Sequence, residues 1–118
     1  MARVKVSLVL DSGARVGPGK AALLESVRVT GSISGAARAM GMDYKRAWML
    51  MDSLNRAFDM PLVERATGGS GGGSATLTRF GAEVLARYRR IETAAAKLGA
   101  ADLKALERHA LPSTGRKV

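Results

Sequence analysis

The sequence contains no cysteine and a single histidine, which excludes disulfides, thiolate metal sites and clusters of histidines that hold metals. That histidine, His109, stands late in the chain and has no partner pattern that would make it part of a catalytic dyad. No apolar run approaches the roughly 18 residues that a membrane span needs. Arg3 and Lys5 interrupt the valines at the N-terminus, where a signal peptide needs an unbroken apolar stretch. We therefore expect a cytoplasmic protein with no enzyme activity, no cofactor and no membrane partner.

Aromatic and acidic residues are also scarce. Two Phe, two Tyr and one Trp leave the core to be built from Leu, Val, Ala and Met. Ten Asp and Glu stand against 19 Lys and Arg, so the net charge is +9, and the basic residues are spread along the chain. This balance favours a polyanionic partner, most commonly nucleic acid; the alternatives are an anionic membrane surface or a merely soluble basic protein.

At 118 residues the chain has room for one domain.

The N-terminal segment of this domain has the pattern of a strand. Polar and apolar residues alternate at its start, which predicts a half-buried strand over residues 3–10. Residues 11–13 supply a turn, and Arg15 with Val16 are candidates for a brief returning strand.

Residues 14–20 have the spacing of a relaxed nucleotide-binding phosphate loop. Ala21 stands where that loop needs a Ser or Thr to bind Mg²⁺, and Pro18 removes one of its backbone donors. We therefore attribute the match to chance.

The next segment has the pattern of a helix-turn-helix. Pro18 suits a first turn, glycines can cap the C-termini, and the apolar spacing predicts three helices over residues 18–30, 32–40 and 43–58. Ser32 and Asp43 are the expected N-terminal caps of the second and third helices. These two helices are joined by about three residues that include Gly41, which is the helix-turn-helix arrangement.

The third helix has two distinct sides on a helical wheel. One side is apolar and predicts packing on the first two helices through Ala47, Leu50, Met51, Leu54 and Phe58. The outward side begins with the candidate DNA-binding residues Asp43, Tyr44, Lys45, Arg46, Trp48 and Met49. Lys and Arg can reach guanine or a phosphate, and Tyr can bind a phosphate. The alternative is that Tyr44 and Trp48 complete the core and that the cations are only solvated.

A glycine-rich run at residues 68–74 lies between two strand-like segments, residues 62–67 and 75–78. It is either a flexible linker or the tip of a β-hairpin whose bare backbone can approach a phosphate or the minor groove. We favour the hairpin, because strands flank it closely and Arg65 precedes it. The candidate wing residues are Arg65, Thr67, Gly68, Gly69, Ser70, Gly71, Gly72 and Gly73.

Thr78 is the expected cap of a fourth helix with an apolar stripe longer than one small core needs. This stripe is the predicted dimer interface, made of Phe80, Val84, Tyr88, Ile91, Ala95 and Leu98. The first strand is a further candidate to pair or pack across it. Gly99 and Asp102 predict a break or kink, followed by a short helix over residues 103–109 and a disordered tail over residues 111–118.

These elements predict a mainly α winged helix-turn-helix fold with a small β-hairpin wing, in the order β-α-α-α-β-β-α, and a long C-terminal dimerisation helix. The expected DNA-binding domain covers residues 1–98, and residues 99–118 form a short extension and tail.

At residues 31–55 and 61–81 the chain resembles the N-terminal DNA-binding domain of the ModE family, the molybdate-responsive transcriptional regulators of bacteria. The segments that carry the resemblance are GSISGAARAMGMDYKRAWMLMDSLN and PLVERATGGSGGGSATLTRFG, within a match over about residues 4–92. The helix-turn-helix is more remotely similar to that of LysR-type regulators. The resemblance implies a homodimer that binds a palindromic operator near molybdate-uptake or molybdoenzyme genes, with the outward face and the wing named above as its DNA contacts.

The chain departs from the ModE pattern at three points. Family wings commonly carry Lys at the position of Ser70, and Ser is common at the position of Asp43. Metal-sensing members continue into a C-terminal oxyanion-binding region, so the resemblance implies that this chain binds no molybdate. It is similar either to a stand-alone member of the family or to an isolated domain of a longer protein.

We therefore predict a sequence-specific transcriptional regulator that binds double-stranded DNA as a homodimer. Two alternatives are a winged helix that binds an acidic protein and a non-specific, nucleoid-type DNA-binding protein. Affinity for random and specific duplexes across a salt series separates the three.

Overall fold

The computed structural model describes residues 2–66 and 73–112. Eight elements follow one another along the chain: β1 (Leu8–Val9), β2 (Arg15–Val16), α1 (Pro18–Thr30), α2 (Ile33–Met40), α3 (Tyr44–Ala57), β3 (Val63–Ala66), β4 (Ser74–Leu77) and α4 (Arg79–Glu107). Strands β1 and β2 form one antiparallel hairpin, and β3 and β4 form another. The prediction of a mainly helical winged helix-turn-helix is confirmed. The expected wing tip and most of the expected tail lie outside the described residues.

The three N-terminal caps predicted from the sequence are present. The side chain of Ser32 accepts a hydrogen bond from the backbone N–H of Gly35 at 2.9 Å, and that of Asp43 accepts one from Arg46 at 2.7 Å. Thr78 does the same for Gly81 at 2.8 Å. Each cap satisfies a backbone donor that the first helical turn would otherwise leave unpaired, and so fixes where its helix begins.

The turn between α2 and α3 depends on a glycine. Gly41 has a φ of +66°, in the left-handed region that side chains with a Cβ rarely adopt. The N–H of the next residue, Met42, returns to the carbonyl of Ala37 at 3.0 Å. This reversal ends α2 and directs the chain into α3 within three residues.

Small residues let the first three helices pack closely. Ala21, Ala36, Ala37 and Ala47 are almost fully buried between α1, α2 and α3. The most deeply buried of the larger core side chains come from β2, α1, α3, α4 and the segment before β3: Val16, Leu23, Leu24, Val27, Leu54, Leu62 and Tyr88. The predicted packing side of α3 is confirmed, since Ala47, Met51 and Leu54 are buried and Leu50 and Phe58 pack against the core.

Leu62 connects α3, the β3–β4 hairpin and α4. Its N–H donates to the side chain of Asn55 on α3 at 2.8 Å, and its carbonyl accepts from the N–H of Thr78 at 2.9 Å. A Cβ placed on Gly81 would lie only 2.0 Å from that same carbonyl oxygen. The first turn of α4 can therefore approach the chain at Leu62 only because residue 81 has no side chain.

The N-terminal strand prediction is wrong in length. Residues 2–7 lie in no strand, and β1 covers only Leu8–Val9. Exposure still alternates along this segment. The reason is that one side of the segment lies against α4, where Val4 is next to Gly99. The hydroxyl of Tyr88 donates to the carbonyl of Val6 at 2.7 Å. Burial, followed by the charge of Glu92, raises the pKa of Tyr88 above its ordinary value against an opposing effect of Arg89, so the phenol stays a neutral donor.

The predicted break in the last helix is also wrong. Helix α4 runs for 29 residues without interruption through Gly99 and Asp102. A glycine inside a helix costs only about 1 kcal/mol relative to alanine, which neighbouring good helix formers can offset.

In the described part of the chain, none of the helices combines the length and the apolar character that a membrane span requires.

Replacing Gly81 with alanine tests the contact at Leu62. The new methyl group would overlap a backbone oxygen that cannot rotate away, so we expect Gly81→Ala to lower the free energy of unfolding by about 3 kcal/mol. The matched control is Gly99→Ala in the same helix, whose methyl group would meet only Val4 Cγ2 at an ordinary 3.6 Å. Urea denaturation should show the control unchanged or stabilised by up to about 1 kcal/mol. Equal stability of the two variants would contradict the proposed role of Gly81.

Candidate nucleic-acid interface

The N-terminal half of α3 presents a basic outward face. Tyr44, Lys45, Arg46 and Met49 are exposed there, while Asp43 caps the helix. Asp43, Lys45, Arg46 and Met49 line a shallow depression together with Leu50 and Ser53, which we call the α3 depression. Four of the predicted outward residues therefore lie on one continuous surface, with two cations in the first turn of the helix.

The sequence left open whether Trp48 completes the core or faces DNA, and the structure shows features of both. Its side chain is half-buried and packs against the core, with part of the indole at the surface. Unlike Tyr44, which is exposed, Trp48 therefore supports α3 and has only a limited area left for a ligand.

Asp52 lies further along α3, where its carboxylate pairs with Arg56 at 2.9 Å. The Arg56 side chain of this pair is 80% exposed, so the pair contributes little to stability. It does reduce the repulsion that an unpaired Asp52 would exert on a phosphate.

The β3–β4 hairpin, called the wing below, lies next to this helix in the chain. Its register pairs Val63 with Leu77 and Arg65 with Ala75. Val63 and Ala75 are buried against the domain, while Arg65 is exposed. Gly73 is exposed at the start of the returning strand, and the other candidate wing residues, Thr67, Gly68, Gly69, Ser70, Gly71 and Gly72, lie outside the described residues.

Asn55 attaches the wing to α3. Its side-chain oxygen accepts hydrogen bonds from the N–H groups of Leu62 and Val63 at 2.8 and 3.1 Å, and its amide nitrogen donates to the carbonyl of Val63 at 3.0 Å. Three hydrogen bonds to two consecutive residues fix the first strand of the wing relative to the helix that carries Lys45 and Arg46. A second tie reaches α1, where the N–H of Ala75 donates to the carbonyl of Gly31 at 2.8 Å.

Sequence reasoning missed Asn55. It is the one asparagine of the chain, and it directly follows the buried Leu54 at the edge of the packing side of α3. A polar residue in that place, seven residues before a predicted strand, is a signal for a side chain that bonds to backbone.

The six residues of the predicted dimer stripe divide into two groups. Tyr88 is buried in the protein's own core, and Phe80 and Val84 pack against that core. Ile91 and Leu98 are exposed, Leu98 to 85%, and Ala95 is half-buried. Ile91 and Leu98 are therefore the residues of the stripe that are most open to a partner, and Tyr88 is closed to one.

Comparison with known proteins places this geometry in a family. The family model of the bacterial regulatory helix-turn-helix proteins, lysR family, matches residues 20–82, from the start of α1 into the first turn of α4. The chain belongs to that family. The match contains α1, α2, α3 and the wing, and the three-helix unit is thus a helix-turn-helix of DNA-binding regulators.

Curated relatives confirm the resemblance to ModE proteins. The chain is 45% identical over 87 residues to the molybdenum-pterin-binding protein MopB of Rhodobacter capsulatus, which covers 74% of this chain and 32% of the relative. It is 39% identical over 87 residues to the DNA-binding transcriptional dual regulator ModE of Escherichia coli (strain K12), covering 74% of this chain and 33% of that one. The chain thus spans about a third of the length of the curated relatives it matches.

A solved structure supports the fold. The multiple antibiotic resistance repressor MarR superposes with a TM-score of 0.55 at 17% identity, covering 79% of this chain and 72% of that chain. At this identity the likeness shows a shared winged-helix fold. In residues 2–66 and 73–112, no three His, Cys, Asp or Glu side chains are grouped so that they could hold a metal ion.

Replacing Asn55 with alanine tests the attachment of the wing. The change leaves two buried N–H groups and a carbonyl without their partner, so we expect a loss of about 2–4 kcal/mol in the free energy of unfolding. The control is Arg56→Ala at the next position, which breaks only an exposed ion pair and should change stability by less than about 1 kcal/mol. Both variants are compared by denaturant titration, and a stability loss as small as that of the control would show that Asn55 does not attach the wing.

Proposed function

We propose that the protein is a sequence-specific transcriptional regulator that binds a palindromic operator as a homodimer, with α3 in the major groove. The observation that carries the proposal is the pair of exposed cations, Lys45 and Arg46, in the first turn of a helix whose opposite side is buried against α1 and α2. Recognition helices of helix-turn-helix proteins present this end to base edges.

The dimensions and chemistry of α3 suit that role. Its 14 residues span about 21 Å, and a major groove about 12 Å wide admits a helix of this kind. Arg46 can donate two hydrogen bonds to guanine, while Lys45 and Tyr44 can bind a base or a phosphate. Arg65 on the wing is exposed and can bind the backbone beside the groove. The net charge of +9 favours the approach to DNA and makes affinity depend on salt.

The dimer part of the proposal rests on the second half of α4. The buried residues of this helix are Gly81, Leu85 and Tyr88, all within its first three turns. Beyond them the helix continues to Glu107, with Leu98 and Leu106 exposed to 85% and 71%. Exposed leucines on a protruding helix mark a surface that a second copy can cover. Residues 2–4 lie beside this part of α4 and are placed to join the contact.

The regulated genes are proposed from the relatives. Those relatives include proteins named molybdenum transport protein ModE in Azotobacter vinelandii and Herbaspirillum seropedicae. We therefore propose operators near genes for molybdate transport or for molybdoenzymes.

Selection of bound sequences from random duplex DNA tests the proposal as a whole. We expect an inverted repeat whose half-sites lie about one helical turn apart, and an affinity for it at least about 1,000-fold above that for random duplex. Binding with a steep salt dependence but no enriched sequence would instead identify a non-specific DNA-binding protein.

Removing the two cations of α3 should abolish most of the specific affinity. Because a base or phosphate contact contributes on the order of 1 kcal/mol and the homodimer loses four such side chains, we expect the Lys45→Ala, Arg46→Ala double variant to bind the selected site about 1,000-fold more weakly. Arg90→Ala, an exposed cation on α4, is the matched control and should bind within about threefold of the unchanged protein. Fluorescence anisotropy measures all three, and full affinity in the double variant would refute the assignment of α3.

A charge placed in the exposed part of α4 should separate the copies. Burying a glutamate carboxylate against an apolar partner surface is unfavourable, so we expect Leu98→Glu to give a monomer in sedimentation experiments. Val29→Glu is the control, because Val29 is also an exposed apolar residue, at 72%, but lies at the end of α1. A dimer in the Leu98 variant, or a monomer in the unchanged protein, would rule out this interface.

A further inference from the structure

Lys20 connects the start of α1 to the middle of α3. Its ammonium group donates to the hydroxyl of Ser53 at 3.1 Å and to the carbonyl of Arg15 at 3.0 Å. Ser53 is one of the residues that line the α3 depression. Lys45 and Arg46 line the depression itself, and Lys20, which comes from a different helix, is hydrogen-bonded to Ser53 at its edge.

The charge of Lys20 is not neutralised by these contacts. Both of its acceptors are uncharged oxygens, and no carboxylate forms an ion pair with it in the described part of the chain. Arg28, Arg56, Arg87 and Arg89, in contrast, each pair with a carboxylate three or four residues away in their own helix. An ammonium group has three N–H donors, so Lys20 has one left beyond the two hydrogen bonds that position it.

The distance along α3 indicates what this donor can reach. Ser53 lies seven residues after Arg46, which corresponds to about 10 Å along the helix axis. If α3 enters the major groove by its N-terminal end, a group about 10 Å back along the helix lies at the rim of a groove about 8.5 Å deep, where the phosphates are.

We propose that Lys20 binds a backbone phosphate of the DNA at the edge of the major groove, with Ser53 and the carbonyl of Arg15 holding its ammonium group in place. The inference rests on the proposed function and adds a contact from α1. In this contact the ammonium group acts as a compact positive charge beside the phosphate. The contact therefore contributes affinity and orientation but does not distinguish one base sequence from another.

Lys20→Gln tests this contact against a purely structural tie between α1 and α3. Because the homodimer carries two copies of Lys20, the variant loses two phosphate contacts, which should weaken binding about 25- to 100-fold near 0.1 M salt, equally for the selected operator and for random duplex. The slope of log affinity against log salt should fall by about two, one for each copy. Lys20→Arg keeps the charge and should recover most of the affinity and the slope. Lys97→Gln removes an exposed cation from α4 and is the control for net charge alone.

Ser53→Ala separates the two roles further. It removes the hydrogen bond at 3.1 Å but leaves the charge of Lys20, so under the proposal it keeps the salt slope of the unchanged protein. If Lys20 only ties the helices together, Lys20→Gln and Ser53→Ala should lower the melting temperature alike and leave the slope unaltered. That result, or a Lys20→Gln variant whose slope equals that of the Lys97→Gln control, overturns the proposal.

Failure of this inference can be distinguished from failure of the proposed function. If the unchanged protein prefers no sequence, or if the Lys45→Ala, Arg46→Ala variant binds normally, α3 does not read DNA and both are rejected. If the unchanged protein binds its operator specifically and only the Lys20→Gln result is negative, the regulator assignment stands and the phosphate contact is rejected.

Discussion

The backbone of Leu62 is the point on which the arrangement of the candidate interface depends. Its N–H is bound by Asn55 at the end of α3, and its carbonyl is bound by Thr78 at the start of α4. Leu62 itself is fully buried, so neither group can exchange its partner for water without opening the core. A helix that reads DNA and a wing beside it are useful only if their relative position is constant. Here the two backbone hydrogen bonds of Leu62 keep that relative position fixed.

The polar contacts at Leu62 work together with the close packing of the helix-turn-helix. Alanines at the crossings of α1, α2 and α3 bring the helices near one another, and Gly41 turns the chain between α2 and α3 within three residues. With its apolar side committed to that core, α3 must expose the side that carries Lys45 and Arg46. The same sequence pattern that builds the core therefore also directs the cations outward, so no additional helix or strand is needed to expose them.

Local signals in the sequence were enough to predict the first three helices, the start of the fourth and the three side-chain caps. Ser32, Asp43 and Thr78 each cap a helix through a hydrogen bond three residues away, which sequence spacing alone can indicate. Features that depend on distant contacts were predicted less well. The alternation in residues 3–7 indicated a strand, but the same alternation arises when an extended chain packs one side on α4, and period two cannot distinguish these cases.

Gly99 and Asn55 show the same limitation. A glycine in a helical pattern signals a break only when nothing opposes it, and here α4 continues past Gly99 with Val4 packed nearby. The role of Asn55 depends on two backbone groups that come within reach only after the wing has folded back onto α3. Spacing along the chain predicts which residues face outward, while the bonds that hold the wing in position are a property of the folded domain.

The unbroken course of α4 has a consequence for how a dimer would read DNA. The first turns of this helix are bound to Leu62 through Thr78, and its exposed leucines lie at and beyond Leu98 in the same rigid element. If two copies pair through those leucines, the contact between the copies is connected to each α3 by α4, Leu62 and Asn55, without an intervening loop. The separation and direction of the two recognition helices would then be set by the packing of one helix pair. Such a dimer would tolerate little variation in the spacing between half-sites, because a change in spacing would have to bend α4 or break the contacts at Leu62.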